Sequence, residues 1–239
     1  MGTAPTAGTA GPARAHGAAA AESGAARPRA GVLDLRSGAG RGELRFPAGD
    51  VLIVSGLPGS GKSTLIRRAV SVLDAQDGVV WCVDSQDTRE RLERHAPRWL
   101  PYAAYRPFAR LAHYAALRRA LRSTASAVVH DCGQRGWVRR WVARDARRRG
   151  GAAHLLLLDV PPGTALAGQA ARGRGVSPYA FRRHRRAMAR LLATVSDPLI
   201  PDPLIPDRPG RPGRLPAGVA SVVLLDRGAV DALRRITFE

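Results

Sequence analysis

The chain has 239 residues, 45% of them hydrophobic, so it can bury the core of one domain or at most of two small ones. No apolar run reaches the roughly 18 to 20 residues of a membrane span, and two cysteines are too few for a disulfide framework. The formal net charge is +19, which is typical of proteins with polyanionic partners and also of Arg-rich, Lys-poor chains shaped by genome composition. We expect a cytoplasmic protein in which Cys82 and Cys132 are small buried residues.

Residues 1–30 are rich in Ala, Gly, Thr and Pro and predict a disordered tail in front of a domain that covers residues 31–239. An extended piece and a turn at 42–50 lead to the first buried strand at 51–54. The predicted elements that follow are a helix at 62–74, a strand at 78–84, a polar helix at 85–97, an aromatic loop at 98–107 and a helix from 108.

The second half of the chain continues this alternation. Strands are expected at 126–132, 153–160 and 219–226, with helices at 136–149, 161–170, 178–195 and 227–238 and a Pro-rich loop at 197–217. Ser177 is a candidate cap for a helix that buries Phe181, Met188, Leu191 and Val195. Five apolar strands that alternate with helices predict an α/β fold with a parallel sheet covered on both faces. Ligands of such sheets bind at the carboxyl ends of the strands.

One motif stands between the first strand and its helix. It fits the pattern GxxxxGK[ST] and consists, with the residue that follows it, of Gly56, Leu57, Pro58, Gly59, Ser60, Gly61, Lys62, Ser63 and Thr64. Glycines let backbone N–H groups approach an anion, and the start of a helix adds the positive end of its dipole. Lys62 is the only lysine of the chain. We expect its compact ammonium to bind the phosphates of ATP, and Ser63 to offer its hydroxyl to Mg²⁺.

Three aspartates follow predicted strands. Asp131 ends the third strand, where a carboxylate can hold Mg²⁺ directly or through water. Asp84 and Asp87 follow the second strand, and a kinase needs a carboxylate there to accept the proton of the attacking hydroxyl. We favour Asp87 over Asp84 as this base, although Asp87 with Glu90 also fits a helix-capping pattern. His130, on the other face of its strand, is expected to pack rather than react.

Two arginines occur in a Gly-flanked loop between two predicted helices. Arg172 and Arg174 are candidates for a lid over about residues 168–180 that neutralises charge on a transferring phosphoryl group. A solvated arginine loop is the alternative. The arginines at 182–190 are expected to form a solvated face.

With these motifs in this order, the chain resembles a known group of proteins. The matching stretches are "GLPGSGKST", "DSQDTRERL", "VVHDC", "HLLLLDVPPGTALAGQAARGRGVS" and "VVLLDRGAVDAL". They resemble P-loop kinases of the polynucleotide-kinase, zeta-toxin and small-molecule phosphotransferase type, often labelled AAA-family ATP-binding proteins. The resemblance implies a three-layer P-loop NTPase sandwich with a five-stranded sheet of order 2-3-1-4-5, ATP with Mg²⁺, a base after the second strand and a short arginine lid. Relatives often have Asp-Ala-Thr-Asn where this chain has Asp131-Cys-Gly-Gln, so the substrate class stays open.

Three functions are compatible with these residues. The first is a kinase that transfers the γ-phosphoryl group of ATP to a hydroxyl of a small molecule or of a nucleotide or polynucleotide end. The second is an ATPase or nucleotide-dependent switch without an acceptor. The third is an ATP-gated binder of nucleic acid that uses the arginine surface. Nothing in the sequence indicates a membrane partner or an oligomeric state.

Overall fold

The computed structural model describes residues 25–28, 30–37, 42–70, 78–95, 102–131, 135–171, 175–195, 215–216 and 218–239. The strands in these ranges are β1 (Gly31–Asp34), β2 (Glu43–Phe46), β3 (Val51–Gly56), β4 (Trp81–Val83), β5 (Ala127–Asp131), β6 (Ala153–Leu158), β7 (Ser221–Leu225) and β8 (Arg235–Phe238). The helices are α1 (Lys62–Ala69), α2 (Ser85–His95), α3 (Tyr102–Arg122), α4 (Gly136–Arg148), α5 (Pro162–Ala170), α6 (Pro178–Val195) and α7 (Arg227–Ala232).

A six-stranded parallel sheet forms the centre of the domain, with the strand order β1-β7-β6-β3-β5-β4. The five predicted strands are β3 to β7, so the α/β fold and the predicted order 2-3-1-4-5 are confirmed. β1 is an additional strand at the edge beside β7, where Gly31 is opposite Ser221. Its four residues are half-buried or exposed, so they lack the apolar run by which the inner strands were predicted.

Helices cover both faces of this sheet because the central strands are apolar throughout. All six residues of β3 and all six of β6 are buried. Val51 and Ile53 belong to a core cluster that contains side chains of α3, α4 and α6. Leu52 and Val54 point to the opposite face and join a second cluster with α1, α7 and β8. The result is the predicted arrangement of three layers, in which both clusters are built from alternate residues of the same strands.

The predicted final helix is wrong in its second half. α7 ends at Ala232, and the next residue, Leu233, has extended backbone angles. Residues Arg235–Phe238 form β8, which pairs in parallel with β2 as a separate two-stranded sheet. Ile236 and Phe238 are buried while the residues before them are not, and this period of two is the pattern of a strand. Packing against β2 therefore decides the conformation of this segment.

Two other helix boundaries differ from the predicted ones. α1 ends at Ala69 rather than near residue 74, because Val70 is extended and forms a parallel bridge with Ile236. α3 begins at Tyr102, inside the segment predicted as an aromatic loop, and contains Pro107 in its second turn. The helix accommodates this proline because, near the helix start, it removes only one helical hydrogen bond.

The prediction of a buried Cys82 is wrong. Cys82 lies in β4, the edge strand of the sheet, where Trp81 and Cys82 are exposed and only Val83 is buried. Cys132 lies outside the described residues, as does the Pro-rich loop except for residues 215–216.

Only part of the predicted N-terminal tail belongs to the described chain. In that part, Ala26 exchanges backbone hydrogen bonds with Glu43 and Arg45 beside β2, so the chain already contacts the domain at this position.

The predicted cap and core face of the helix after residue 177 are confirmed. The Ser177 hydroxyl accepts a hydrogen bond from the backbone N–H of Ala180 at 3.3 Å. The four buried side chains of α6 are Phe181, Met188, Leu191 and Val195. Among the helices of the described ranges, none has the combination of length and hydropathy needed to cross a membrane.

A buried polar chain joins three strands at the amino edge of the sheet, opposite the phosphate loop. His154 of β6 is within 2.8 Å of the Asp50 carboxylate through Nε2 and within 2.7 Å of the Ser221 hydroxyl through Nδ1. Asp50 also accepts a hydrogen bond from the backbone N–H of Ala152. His154 is 5% exposed and its ring lies 5.0 Å from that of Phe46. Because the three polar side chains satisfy one another away from water, we assign them a structural role.

We expect His154→Leu to lower the free energy of unfolding by about 3 kcal/mol, because it leaves the buried Asp50 carboxylate and Ser221 hydroxyl without their shared partner. Ser221→Ala removes one neutral hydrogen bond and should cost about 1 kcal/mol. Urea unfolding followed by circular dichroism measures both. Equal losses for the two variants would contradict the central role of His154.

Candidate functional site

The phosphate loop lies at the carboxyl end of β3, in the middle of the sheet. β3 ends at Gly56 and α1 begins at Lys62, so the strand–loop–helix context expected for this motif is present. Gly59 and Gly61 have φ angles of 87° and 93°, in the left-handed region that glycine adopts without strain. The first turn of α1 presents backbone N–H groups that have no partner within the helix.

Lys62 is buried inside this loop. Its side chain is 4% exposed, and Nζ donates hydrogen bonds to the carbonyl oxygens of Gly56 and Leu57 at 2.8 and 2.7 Å. The ammonium therefore sits within a ring of backbone groups. This space suits a compact point charge better than the broad planar guanidinium that the chain uses at its other cationic positions.

The hydroxyl residues of the loop differ in their surroundings. Ser60 is fully buried, and its Oγ has no hydrogen-bond partner among the described residues. Ser63 is 5% exposed, whereas Thr64 is exposed. A buried hydroxyl without a partner is costly unless a ligand or water satisfies it. Ser60 Oγ is thus a buried polar group of the loop whose hydrogen bonds the described residues do not satisfy.

Helix α5 packs directly against the phosphate loop. A Cβ atom at Gly59 would collide with the Ala165 carbonyl oxygen, and one at Gly168 would lie 2.5 Å from the Gly59 carbonyl oxygen. Gln169 links the two elements, because its Nε2 donates to the Pro58 carbonyl at 3.0 Å. Its Oε1 accepts from the backbone N–H of Val176, also at 3.0 Å. Gln169, 7% exposed, therefore ties the loop to the chain that follows α5.

Sequence reasoning missed Gln169. The only signal was a single amide residue in an Ala- and Gly-rich helix, and nothing in the local pattern shows which backbone groups such an amide will meet.

A second polar group lies two strands away from β3, where β4 ends. His130 Nδ1 is 2.7 Å from Asp84 Oδ1, and each side chain is 10% exposed. The hydroxyl of Ser85 is 3.5 Å from the same nitrogen. The sequence predicts that His130 packs rather than reacts, and its contact with a candidate base was not foreseen. Strand pairing explains the contact, because β4 and β5 are neighbours and Val83 is opposite Val129, so the two residues that follow are also adjacent.

Asp84 lines a cavity of about 420 Å³ at this edge of the sheet. Thr88 and Arg91 of α2 and Arg119 of α3 also line it. His113 of α3 is close enough to interact electrostatically with Asp84 and His130. Burial, with a smaller contribution from nearby His130, lowers the pKa of His113 and favours its neutral form. The cavity thus combines a carboxylate and two guanidinium groups.

The other two predicted carboxylates are described only by their backbone. Asp131 is the last residue of β5 and is opposite Ser55, one residue before the phosphate loop begins. Asp87 lies in the first turn of α2, which starts at Ser85. Since the helix begins two residues before Asp87, the alternative in which Asp87 caps this helix is wrong. The side chains of both aspartates lie outside the described part of the chain.

The predicted lid is described only at its two ends. α5 ends at Ala170, the chain is described again from Gly175, and α6 begins at Pro178. Arg172 and Arg174 lie outside the described residues, so their predicted role stays a prediction.

A charged network that the sequence did not reveal lies on the other side of the loop. Arg36, just after β1, pairs with Asp34 at 2.6 Å and with Asp159 at 2.8 Å. Asp226 accepts hydrogen bonds from the backbone N–H groups of Ala229 and Ser37, both at 2.8 Å, and these bonds lower its pKa. This network joins the carboxyl ends of β1, β6 and β7 at the end of the sheet where the loop lies.

Arg227, which starts α7, extends from this network toward the loop. Its guanidinium lies 3.7 Å from the position that a Cβ atom of Gly61 would occupy. Arg227 therefore brings the start of α7 close to the phosphate loop.

A family model described as an AAA domain matches residues 51–198, which is more than half of the chain. The matched range starts at β3 and ends after α6, so it contains the phosphate loop, Asp84, Asp131 and Gln169. No protein of curated function matches the sequence.

Several solved structures are similar to the chain. The PezAT toxin–antitoxin system of Streptococcus pneumoniae has 16% identity and a TM-score of 0.42, over 54% of this chain and 53% of that chain. The tunicamycin resistance protein of Deinococcus radiodurans has 14% identity and a TM-score of 0.37, over 62% and 80%. A candidate kinase from Chloroflexus aurantiacus has 15% identity and a TM-score of 0.46, over 76% and 88%. The chain spans about half the length of the PezAT chain that it matches.

We expect Lys62→Arg to reduce ATP affinity by about 10- to 100-fold, because the larger guanidinium cannot take the place of Nζ among the loop carbonyls. Isothermal titration with ATP measures the effect. Arg67→Lys, the reverse exchange at an exposed position of α1, is the matched control and should bind normally. Near-normal ATP binding by Lys62→Arg would refute the steric argument.

Gln169→Leu should lower ATP affinity about fivefold, because it removes both hydrogen bonds that hold Pro58 and Val176 in place while preserving the bulk of the side chain. The measurement is ATP titration well below the unfolding temperature, where a purely structural loss of stability would not change the affinity. Leu166→Ala, on the exposed side of α5, serves as the control. If both variants bind ATP like the wild type, Gln169 does not position the loop.

Proposed function

The chain belongs to the AAA domain family, and from this premise we propose that it is an ATP-dependent kinase that phosphorylates a hydroxyl group. The acceptor is a small molecule or the end of a nucleotide or polynucleotide. The observation that carries the proposal is the position of Asp84, a carboxylate at the carboxyl end of β4 that lines a cavity between β4, α2 and α3. Its strand is two places from β3, which corresponds to about 10 Å at the usual strand spacing. An acceptor held at this carboxylate would lie at the same edge of the sheet as the phosphate loop.

The loop residues fit a triphosphate. The left-handed glycines turn backbone N–H groups inward, Lys62 supplies one buried positive charge, and the Ser60 hydroxyl is buried without a partner among the described residues. Mg²⁺ is expected with such a nucleotide, where it neutralises charge on the β- and γ-phosphates. Ser63 and Asp131 are the residues that would hold it, one at the start of α1 and the other at the end of the neighbouring strand β5.

Two carboxylates are candidates for the base. We propose Asp87, in the first turn of α2, as the group that accepts the proton from the acceptor hydroxyl. Asp84 would then orient the acceptor, because its carboxylate is already held by His130 at 2.7 Å. The alternative assignment, with Asp84 as the base and His130 as its positioning partner, uses the same cavity. In both assignments the carboxylate must reach the hydroxyl within hydrogen-bond distance.

The segment after α5 would complete the site. We propose that Arg172 and Arg174 approach the transferring phosphoryl group and neutralise the charge that develops on it. The hydrogen bond between Gln169 and Val176 supports this proposal, because it fixes the chain on the far side of the two arginines to a residue that also contacts the phosphate loop.

A second candidate function is an ATPase or nucleotide-dependent switch without an acceptor. The observation that favours it is the close contact between Asp84 and His130, whose side chains are each only 10% exposed, as is typical of a pair that stabilises the fold. In that case the cavity beside β4 would have no role in turnover.

The kinase proposal predicts that Asp87→Asn lowers phosphoryl transfer by about 100- to 10,000-fold, because it removes the base, while ATP affinity stays within about twofold. The assay is transfer from γ-labelled ATP to a panel of nucleosides, oligonucleotides, sugars and aminoglycoside-like compounds. Asp84→Asn is the companion variant, and the variant with the larger loss identifies the base. Absence of labelled product with every acceptor, together with equal ATP hydrolysis by wild type and Asp87→Asn, would favour the ATPase.

A further inference from the structure

A cluster of three aromatic rings lies at the protein surface between α3 and α4. Trp137 and Trp141 occupy successive turns of α4, with ring centroids 6.3 Å apart and planes inclined by only 15°. Tyr114 of α3 completes the cluster, 5.4 Å from Trp137. The Trp137 side chain is 45% exposed, although tryptophan is one of the residues that gain most from burial. Packing into the hydrophobic core therefore does not explain why this tryptophan ring lies where it does.

Two of the three rings are held in fixed positions. The Trp141 indole N–H donates a hydrogen bond to Asp145 at 2.8 Å, and the Arg135 guanidinium donates to the Tyr114 hydroxyl at 3.3 Å. Neither ring needs to be ordered when a ligand arrives, so the cluster can bind a planar group with little loss of side-chain entropy.

Grooves lined by arginine run along both sides of the tryptophans. The groove toward α3 has a volume of about 610 Å³ and is lined by the aromatic cluster together with Leu111, Arg118, Arg144 and Arg148. A second groove, of about 570 Å³, lies on the other side of Trp137 and Trp141 and adds Arg140 and Arg147. We call these two grooves and the rings between them the α3–α4 surface.

The charge of the α3–α4 surface is strongly positive. Asp145 is the only acid among the described residues that line it, and Trp141 and Arg148 both contact that carboxylate. Within the described part of the chain, Arg118, Arg140 and Arg144 have no acidic partner. Arg140 and Arg144 are separated by one helical turn, which repeats positive charge about every 6 Å along α4.

We propose that the α3–α4 surface binds single-stranded nucleic acid. The unpaired bases of the strand would stack on Trp137 and the neighbouring rings. The phosphates of the strand would contact the arginines of the flanking grooves. Fixed aromatic rings beside a positively charged groove are the two components that non-specific single-strand binding requires. The inference does not depend on the proposed kinase activity, because it concerns binding without ATP.

The aromatic rings distinguish this surface from the general arginine content of the chain. α6 exposes five arginines, at 182, 183, 185, 186 and 190, but none of them lines either groove of the α3–α4 surface. An acidic polypeptide would satisfy the guanidinium groups of the α3–α4 surface and leave the indole faces unused. A polynucleotide strand uses both, since every base has a π-face and every nucleotide has a phosphate.

The test is fluorescence anisotropy with a labelled single-stranded oligonucleotide of about 12 nucleotides, a length within the usual site size. We expect the triple variant Arg118→Gln, Arg140→Gln, Arg144→Gln to weaken binding about tenfold or more at low salt and to reduce the salt dependence. The matched control removes equal charge from α6, with Arg185→Gln, Arg186→Gln and Arg190→Gln, and should change affinity less than about threefold. Equal losses in the two triple variants would overturn the proposal.

The contribution of the rings is tested with Trp137→Ala, which should weaken binding about tenfold. A second measurement needs no variant: an abasic oligonucleotide of equal length keeps the phosphates and lacks the bases, and the wild-type protein should bind it about tenfold more weakly. Equal affinity for the two oligonucleotides would show a surface that binds any polyanion and would overturn the proposal. Competition by poly-glutamate as effective as by the oligonucleotide would do so too, since it would indicate an acidic protein partner.

Discussion

The site depends on close packing of the phosphate loop against its neighbours. At the glycines of this contact the space is too small for a side chain. A Cβ atom at Gly56 would lie 2.8 Å from Ser60 Oγ and 3.0 Å from the Leu158 Cβ. On the other side, Gly59 and Gly168 bring the loop against α5 at a distance that only glycine permits. The loop is therefore closely packed between β6 and α5. Any movement of α5 must move the loop, and this couples nucleotide contacts to the chain that leads toward Arg172 and Arg174.

The distribution of cations follows from the same geometry. Arginine serves where a planar fork can reach two partners, as Arg36 does between Asp34 and Asp159, and it also covers the exposed face of α6. Lys62 stands where the cation is enclosed by carbonyl oxygens less than 3 Å away. The cationic residues behind the net charge of +19 therefore lie in several different environments. One of them, the α3–α4 surface, combines the charge with two grooves and a cluster of three aromatic rings.

The sequence predicted the buried strands, their order and the phosphate loop, because each depends on local signals: continuous apolar runs and a motif with fixed spacing. It did not predict β1, β8 or the early end of α1, since these depend on pairing between distant segments, such as Val70 with Ile236. At the site, the motif located Lys62 and Ser63. The contact between Asp84 and His130 could not be foreseen, because it arises from the register of two strands joined by a long connection. Gln169 was missed because its local sequence does not show which distant backbone groups its amide meets.

The hydrogen-bonded chain of Asp50, His154 and Ser221 has a consequence for how such a protein can change over evolutionary time. It ties β3, β6 and β7 together at the end of the sheet farthest from the phosphate loop, and Ser126 adds a further tie there by accepting from the Gly49 N–H at 2.9 Å. Because these ties lie apart from the loops at the carboxyl ends, substitutions in those loops leave them intact. Apart from the glycines at which the phosphate loop packs against β6 and α5, the fold should therefore tolerate substitutions in the loops at the carboxyl ends of the strands better than at the opposite end.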